Sequence, residues 1–176
     1  MTSSEDELIA AAKAGSHAAF AVLVERYQDG LYRFLCVRCA RVCDAEDALQ
    51  DTFVGAWRYL ASYDPRWRFS TWLYRIALRH AAARPAAWEP LAAEPADPAA
   101  DPLADCIADD GRRNIWLTAR QRLTPDGYTA LWLHYAEDMA VRDVARAMER
   151  SVSWVKVNLF RARRRLAREL ETEDGE

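Results

Sequence analysis

The chain has 176 residues, 51% of them apolar and a formal net charge of -3, which bounds it to one domain or two small ones with real cores. No apolar run approaches the ~20 residues that a membrane span requires, so insertion in a membrane is not expected. The small net charge hides an asymmetry: residues 85–111 carry seven acidic side chains and no basic one, residues 112–170 carry 13 basic and six acidic, and the last six residues carry four acidic. A basic unit behind an acidic connector suits nucleic acid at one end of the molecule.

The N-terminal MTSSEDELIAAAK is acidic and lacks the basic-then-apolar pattern of a secretion signal, so a cytoplasmic protein is expected. Ser4 and Glu7 form a capping box ahead of Leu8, Ile9 and Ala12, which predicts a short helix. A longer helix follows, with Phe20, Leu23, Val24, Tyr27, Leu31 and Phe34 at helical spacing. Cys36, Cys39 and Cys43 fall at C-x2-C-x3-C, a spacing that shares one helical face. Beside Leu31, Phe34 and Leu35 that face reads as core. Metal binding or redox sensing is the alternative, without a nearby histidine to complete a tetrahedral set.

Asp44 is placed to cap a third helix with Leu49, Phe53, Ala56, Trp57 and Leu60 inward. Its first turn is acidic, as the helix dipole favours. Tyr63-Asp64-Pro65 ends it, since the residue before proline resists helix. The loop DPRWRF leads into a fourth helix from Ser70 to about Ala83, with Leu73, Ile76 and Ala77 inward. Residues 1–84 thus read as one compact helical domain.

Five of the seven prolines fall in residues 85–111, among alanines and acids, which predicts a flexible or extended linker in which only Trp88 and Leu91 could dock. Helices are expected at Arg112–Arg122 and Gly127–Glu137, the second with Tyr128, Leu131, Trp132 and Tyr135 on one face. Val144 and Met148, a short break, then Val152, Val155, Leu159, Ala162 and Leu166 spell helix, turn, helix, with Ser151 as N-cap of the last element. Residues 112–170 make the second domain and 171–176 an acidic tail. No strand pattern appears, so the fold class is all-α.

The outward side chains of the last helix include Ser153, Trp154, Lys156, Val157, Asn158, Arg161, Arg163, Arg164, Arg165 and Arg168. Such a helix fits a DNA major groove, its first turns at base edges and its basic end along phosphates. Aromatics interleaved with arginine in Tyr63, Arg66, Trp67, Arg68 and Phe69 are what stacking on single-stranded bases requires. Trp72, inside a periodic block, reads as core. The three histidines, His17, His80 and His134, have no nucleophile or carboxylate arranged around them, so no catalytic residue and no enzyme activity are expected.

Two blocks stand together: DAEDALQDTFVGAWRYL with FSTWLYRIA, and LTPDGYTALWLHYAEDM with the helix-turn-helix. The pairing resembles bacterial RNA polymerase sigma factors of the extracytoplasmic-function group, small sigma-70 relatives with two helical domains on a linker. The resemblance implies that Asp44, Glu46, Asp47 and Gln50 grip the β′ clamp of core RNA polymerase, with Leu49 and Phe53 as apolar anchors. It implies that Arg66, Trp67, Arg68, Phe69, Arg75 and Arg79 contact the unpaired −10 strand. It implies that Ser153, Trp154, Lys156, Val157, Arg161 and Arg164 read the −35 element. Promoter DNA, the polymerase β′ clamp and β flap, and an anti-sigma factor are the implied partners; no cofactor or metal is implied.

The chain departs from that pattern. Arg79 and Ala83 stand where the family usually has asparagine and aspartate, and Pro85 stops the helix. Glu149 replaces the turn glycine, so a turn of different geometry is expected there. Trp154 and Val157 replace threonine and serine, which suits thymine methyls or a protein partner. The reading is promoter-specific transcription initiation. Its alternatives are a sigma-like protein that binds polymerase or a regulator without recognising promoters, and a conventional helix-turn-helix regulator of duplex DNA.

Overall fold

The computed structural model describes residues 4–39, 41–82 and 110–173. The described residues form eight α-helices and one short 3-10 turn, with no strand among them. Helix α1 spans Glu5–Lys13, α2 His17–Arg38, α3 Val42–Tyr59 and α4 Phe69–Ala82. The second unit holds α5 (Asp110–Arg122), α6 (Pro125–Tyr135), α7 (Val141–Ala147) and α8 (Val152–Glu173).

Ser4 caps α1 as expected: its hydroxyl accepts from the Glu7 N–H at 3.3 Å, and the Glu7 carboxylate accepts from the Ser4 N–H at 2.9 Å. The helix is closed by Gly15 at φ 97°, a backbone state that costs glycine nothing. Ser16 then starts α2 by accepting from the Ala19 N–H. Leu8, Ile9 and Ala12 of α1 bury beside Leu23 of α2. Leu31, Phe34, Leu35 and Val37 carry the core onward to Leu73, Tyr74 and Ala77 of α4.

Helix α3 packs against both α2 and α4. Its fully buried residues are small: Ala45, Ala48, Thr52 and Ala56. Small side chains let three helix axes converge, so Leu49, Phe53 and Trp57 are only half-buried at the flanks rather than forming the inward face. The buried Thr52 hydroxyl is satisfied within its own helix, donating to the Ala48 carbonyl at 2.6 Å.

Asp44 does not cap α3. The helix begins earlier, at Val42, and Arg41 occupies the cap position without a side-chain cap bond. The Asp44 carboxylate instead accepts from Arg41 Nε at 2.9 Å and Nη2 at 2.8 Å, a charge-assisted fork stronger than a single backbone cap. The three cysteines do not share a face either. Backbone extension at Cys39 ends α2, so Cys36 and Cys39 are buried there while Cys43 is exposed on the next helix. Among the described residues no group of three or more histidine, cysteine, aspartate or glutamate side chains could hold a metal ion.

In the second unit Thr124 caps α6 by accepting from the Gly127 N–H at 3.2 Å, with Pro125 at the first helical position. Trp116, Tyr128 and Trp132 form an aromatic cluster, with ring centroids 4.9 Å apart for Trp116–Trp132 and 5.8 Å for Trp116–Tyr128. Val144 of α7 and Val155, Leu159, Ala162 and Leu166 of α8 complete the core. Two expected core residues lie outside it. Tyr135 ends α6 on the surface, its hydroxyl accepting from Arg163 at 3.2 Å. Val152 is exposed because the first residues of α8 stand clear of the other helices.

Helix α4 packs on α7, so the two units meet directly. Residues 83–109, which include Ala83 and, from the expected linker, Pro85, Trp88, Leu91 and Cys106, lie outside the described residues, as does the end of the acidic tail. The helix expected from Arg112 begins at Asp110. Among the described residues no helix is long and apolar enough to cross a membrane.

Candidate nucleic-acid interface

The loop between the 3-10 turn and α4 is pinned at several points. The Arg66 guanidinium donates to both Asp64 carboxylate oxygens, and the Arg66 N–H donates to Oδ1 at 3.0 Å. The Tyr63 hydroxyl donates to the Trp67 carbonyl at 2.6 Å, and Lys13 Nζ donates to the Tyr63 carbonyl at 2.8 Å. Hydrogen bonds from the Arg66 side chain and then its backbone hold the Asp64 carboxyl at about 2. A depressed carboxyl contributes order that is complete above its ordinary value of 3.8 and lost only as pH falls through the lowered one. NMR titration of the Asp64 carboxyl is therefore expected to show the loop intact at pH 4 and released near pH 2.

The Trp67 ring is half-buried beside a cavity of about 260 Å³ that is lined also by Tyr63, Thr71, Trp72, Arg75 and Arg79. Trp67 Nε1 and the Thr71 hydroxyl are buried without a hydrogen-bond partner. Two unsatisfied polar groups beside arginine suit a polar planar guest, since a bond to each would recover their desolvation cost. Phe69 does not belong to that surface. It is 3% exposed and packs edge-on against Tyr63 at 5.3 Å and near Tyr27 at 5.6 Å, because the start of α4 must seal the end of the core. Trp72 lines the cavity but packs on Tyr63 and Phe69, as its place in the periodic block implied.

Four of the remaining residues meet the second unit. The Arg146 guanidinium lies 3.3 Å from the Trp67 ring centroid, a cation–π contact worth about 0.5–2 kcal/mol. Arg68 donates to the Asp138 carbonyl at 3.4 Å. Arg75 Nε donates to Glu149 Oε1 at 2.8 Å, Arg75 Nη2 bonds the same oxygen, and Arg79 Nη2 reaches it at 2.7 Å. Hydrogen bonds from Arg75 and then Arg79 lower the Glu149 carboxyl below its ordinary value. The buried Tyr74 hydroxyl bonds Glu137, and burial first, then that carboxylate, raises its pKa.

Glu149 keeps the helix-turn-helix geometry rather than changing it. Its φ is 54°, its N–H donates to the Arg146 carbonyl at 3.2 Å, and the Arg150 N–H donates to the Ala145 carbonyl at 2.8 Å. That is the paired closure of a Schellman motif. A left-handed glutamate costs about 1–2 kcal/mol where glycine would cost none.

On α8, Ser151 accepts from the Trp154 N–H at 3.1 Å and starts the helix as expected. Ser153, Lys156, Val157, Arg161 and Arg164 are all exposed on one stripe. Trp154 is half-buried, its ring 5.2 Å from the Arg150 guanidinium. Phe160, 55% exposed, sits in the same stripe. It went unread because an aromatic in an apolar-rich helix is taken for core, although its spacing from Val157 and Arg164 places it outward.

On α3, Glu46, Asp47 and Gln50 are exposed, whereas Asp44 is half-buried under Arg41. The exposed apolar neighbour is Val54, one turn beyond Gln50, not Leu49 or Phe53. Its seven-residue spacing from Asp47 was the available signal.

The family description Sigma-70 region 2 matches residues 23–84, and Sigma-70, region 4 matches residues 113–166. The chain is 31% identical over 173 residues to the ECF RNA polymerase sigma factor SigW of Bacillus subtilis, covering 90% of this chain and 92% of that protein. It is 32% identical over 174 residues to the ECF RNA polymerase sigma factor SigM of Mycobacterium tuberculosis, covering 94% and 84%. Among solved structures, CnrH in complex with the cytosolic domain of CnrY matches with a TM-score of 0.69 at 25% identity, over 94% of this chain and 96% of that one. With an ordered aromatic–arginine loop, an exposed basic helix and both family regions in one chain, this protein belongs to the extracytoplasmic-function group of the sigma-70 factors, which direct RNA polymerase to promoters.

Proposed function

We propose that the chain engages core RNA polymerase through the exposed edge of α3 and divides promoter recognition between its two units. Glu46, Asp47 and Gln50 steer the β′ clamp and Val54 supplies the apolar anchor, with Asp44 and Arg41 setting the start of the helix. Trp67 and the cavity beside it trap an unpaired −10 base, and Arg66, Arg68, Arg75 and Arg79 line the backbone path. Trapping an extruded base offsets the few kcal/mol lost on unstacking.

In the second unit Ser153, Lys156, Val157 and Arg161 face base edges of the −35 element. Trp154 shapes the approach, and Arg164 contributes phosphate affinity. The protein performs no catalysis of its own and works in the cytoplasm. An anti-sigma partner covers one of these faces when transcription is not wanted, as the cytosolic domain of CnrY is seen in complex with CnrH. The domain division is residues 1–84, 85–111, 112–170 and 171–176.

The observation that carries this reading is the presence, in one chain and in family order, of both matched regions together with the Trp67 cavity. In vitro transcription with bacterial core polymerase on a genomic promoter pool tests it. Initiation at a defined promoter set only when the protein is added is the expected result, with Asp47→Ala weakening core binding about fivefold or more, the loss of a charge pair at an interface. Tight core binding without initiation would leave a polymerase-titrating protein. No core binding at all would leave a conventional DNA-binding regulator.

A further inference from the structure

Glu149 occupies the left-handed position of the α7–α8 turn, where glycine would sit without strain. The turn therefore gains nothing from a carboxylate. What the carboxylate does is draw Arg75 and Arg79 onto a single oxygen. One helical turn earlier, the Arg146 guanidinium covers the Trp67 ring. The carbonyl of Asp138 accepts from Arg68 nearby. Trp67, Arg68, Arg75 and Arg79, all assigned above to the unpaired strand, are thus held by the second unit.

An anionic oxygen between two guanidiniums reproduces a phosphate oxygen of a bound strand. A flat cation over an indole reproduces a stacked base. We propose that the α7–α8 turn is an internal mimic of the −10 strand, and that Glu149 and Arg146 form an autoinhibitory clasp masking the single-strand surface until polymerase separates the two units.

The clasp is built to release. The Arg79 and Glu149 side chains are 62% and 49% exposed, so salt screens their attraction and competing phosphates reach it. A strand carrying many phosphates outcompetes one carboxylate once the units part.

The proposal rests on the assignment of Trp67, Arg75 and Arg79 to single-stranded DNA, and its test separates the two. Small-angle X-ray scattering of the full chain reads opening without DNA. Fluorescence anisotropy with a short fluorescein-labelled single-stranded oligodeoxynucleotide reads unmasking. Glu149→Gly relaxes the turn while removing the carboxylate, so folding is not at risk. It is expected to increase the radius of gyration and tighten the oligonucleotide about tenfold, two exposed ion pairs being lost. Glu149→Gln keeps the shape and should fall between Glu149→Gly and wild type. Glu173→Gln removes one negative charge from the same unit, at the end of α8 opposite the turn, and should leave both readings near wild type.

An unchanged radius of gyration in Glu149→Gly overturns the clasp. Equal tightening by Glu173→Gln overturns it too, since net charge would then explain the gain. Opening without tighter binding overturns the masking. Failure of the wild-type chain to support polymerase-dependent initiation counts against the sigma reading alone, because scattering still reports whether the units are clasped.

Discussion

Phe34→Ala is expected to destabilise the first helical unit by about 3–5 kcal/mol, the range for truncating a fully buried phenylalanine. Phe34 has no solvent exposure and sits at the junction of α2 with α4, its ring edge-on to Tyr74 with centroids 5.2 Å apart. Truncation empties the space between α2 and α4 that the Phe34 ring fills beside Tyr74. In a unit of this size such a loss lowers the melting temperature by more than about 10 °C. Thermal unfolding followed by circular dichroism checks it, with Phe34→Leu as the volume-sparing comparison at less than about 1.5 kcal/mol. The Tyr74 hydroxyl bonds Glu137 across to the second unit, so the same change is expected to loosen the packing of α4 on α7. A drop of under 1 kcal/mol would mean that the α2–α4 junction repacks freely.

Replacing Lys156 and Arg161 together by alanine is expected to weaken binding of −35 duplex by about a hundredfold, each base-edge contact contributing 1–3 kcal/mol. Both side chains are exposed on the outward stripe of α8, and neither is needed by the core beneath, which Val155, Leu159 and Ala162 supply. The fold should therefore survive intact. Arg165→Ala is the comparison: as a phosphate contact it should weaken all sequences alike and flatten the salt dependence by about one unit. Electrophoretic mobility shift of promoter duplex at several salt concentrations separates the two effects. Sequence preference unchanged in the double variant would remove Lys156 and Arg161 from base reading. Phe160 and Val157 would then be left as the side chains facing the groove.

The local helices and their punctuation were legible from residues alone. Capping by Ser4 and Ser151 is decided within four residues, so a short stretch of sequence suffices to place a helix start, whereas the Thr124-Pro125 start of α6, two residues before the expected Gly127, was missed. The α8 stripe from Val155 to Leu166 was legible because its period is that of the helix itself. The pairing of the two motif blocks named the family for the same reason: residue types at fixed spacing are what a sequence records.

Other features depended on what each side chain found across the fold. Asp44 was expected to cap a helix and instead met Arg41, whose fork outbids a backbone N–H. Phe69 looked like a stacking residue beside Trp67. The close approach of Tyr27 and Tyr63 drew it into the core. Leu49 and Phe53 gave way to alanines because α2 and α4 both converge on α3 and only small residues fit the crossing. Each outcome turned on a neighbour distant in space or on the volume available, and neither is written in local spacing.

The sequence by itself determined the helix inventory, the two-unit order and the chemistry offered at each surface. The tertiary structure decided which of those side chains are available. Glu149 shows the division most clearly. As a letter it is a flaw in a glycine turn. As a placed carboxylate at φ 54° it joins Arg75 and Arg79 across a gap of 70 or more residues. A long-range ion pair depends on how two separately folded units dock, and that docking is set by the summed fit of α4 against α7 rather than by any one segment's periodicity.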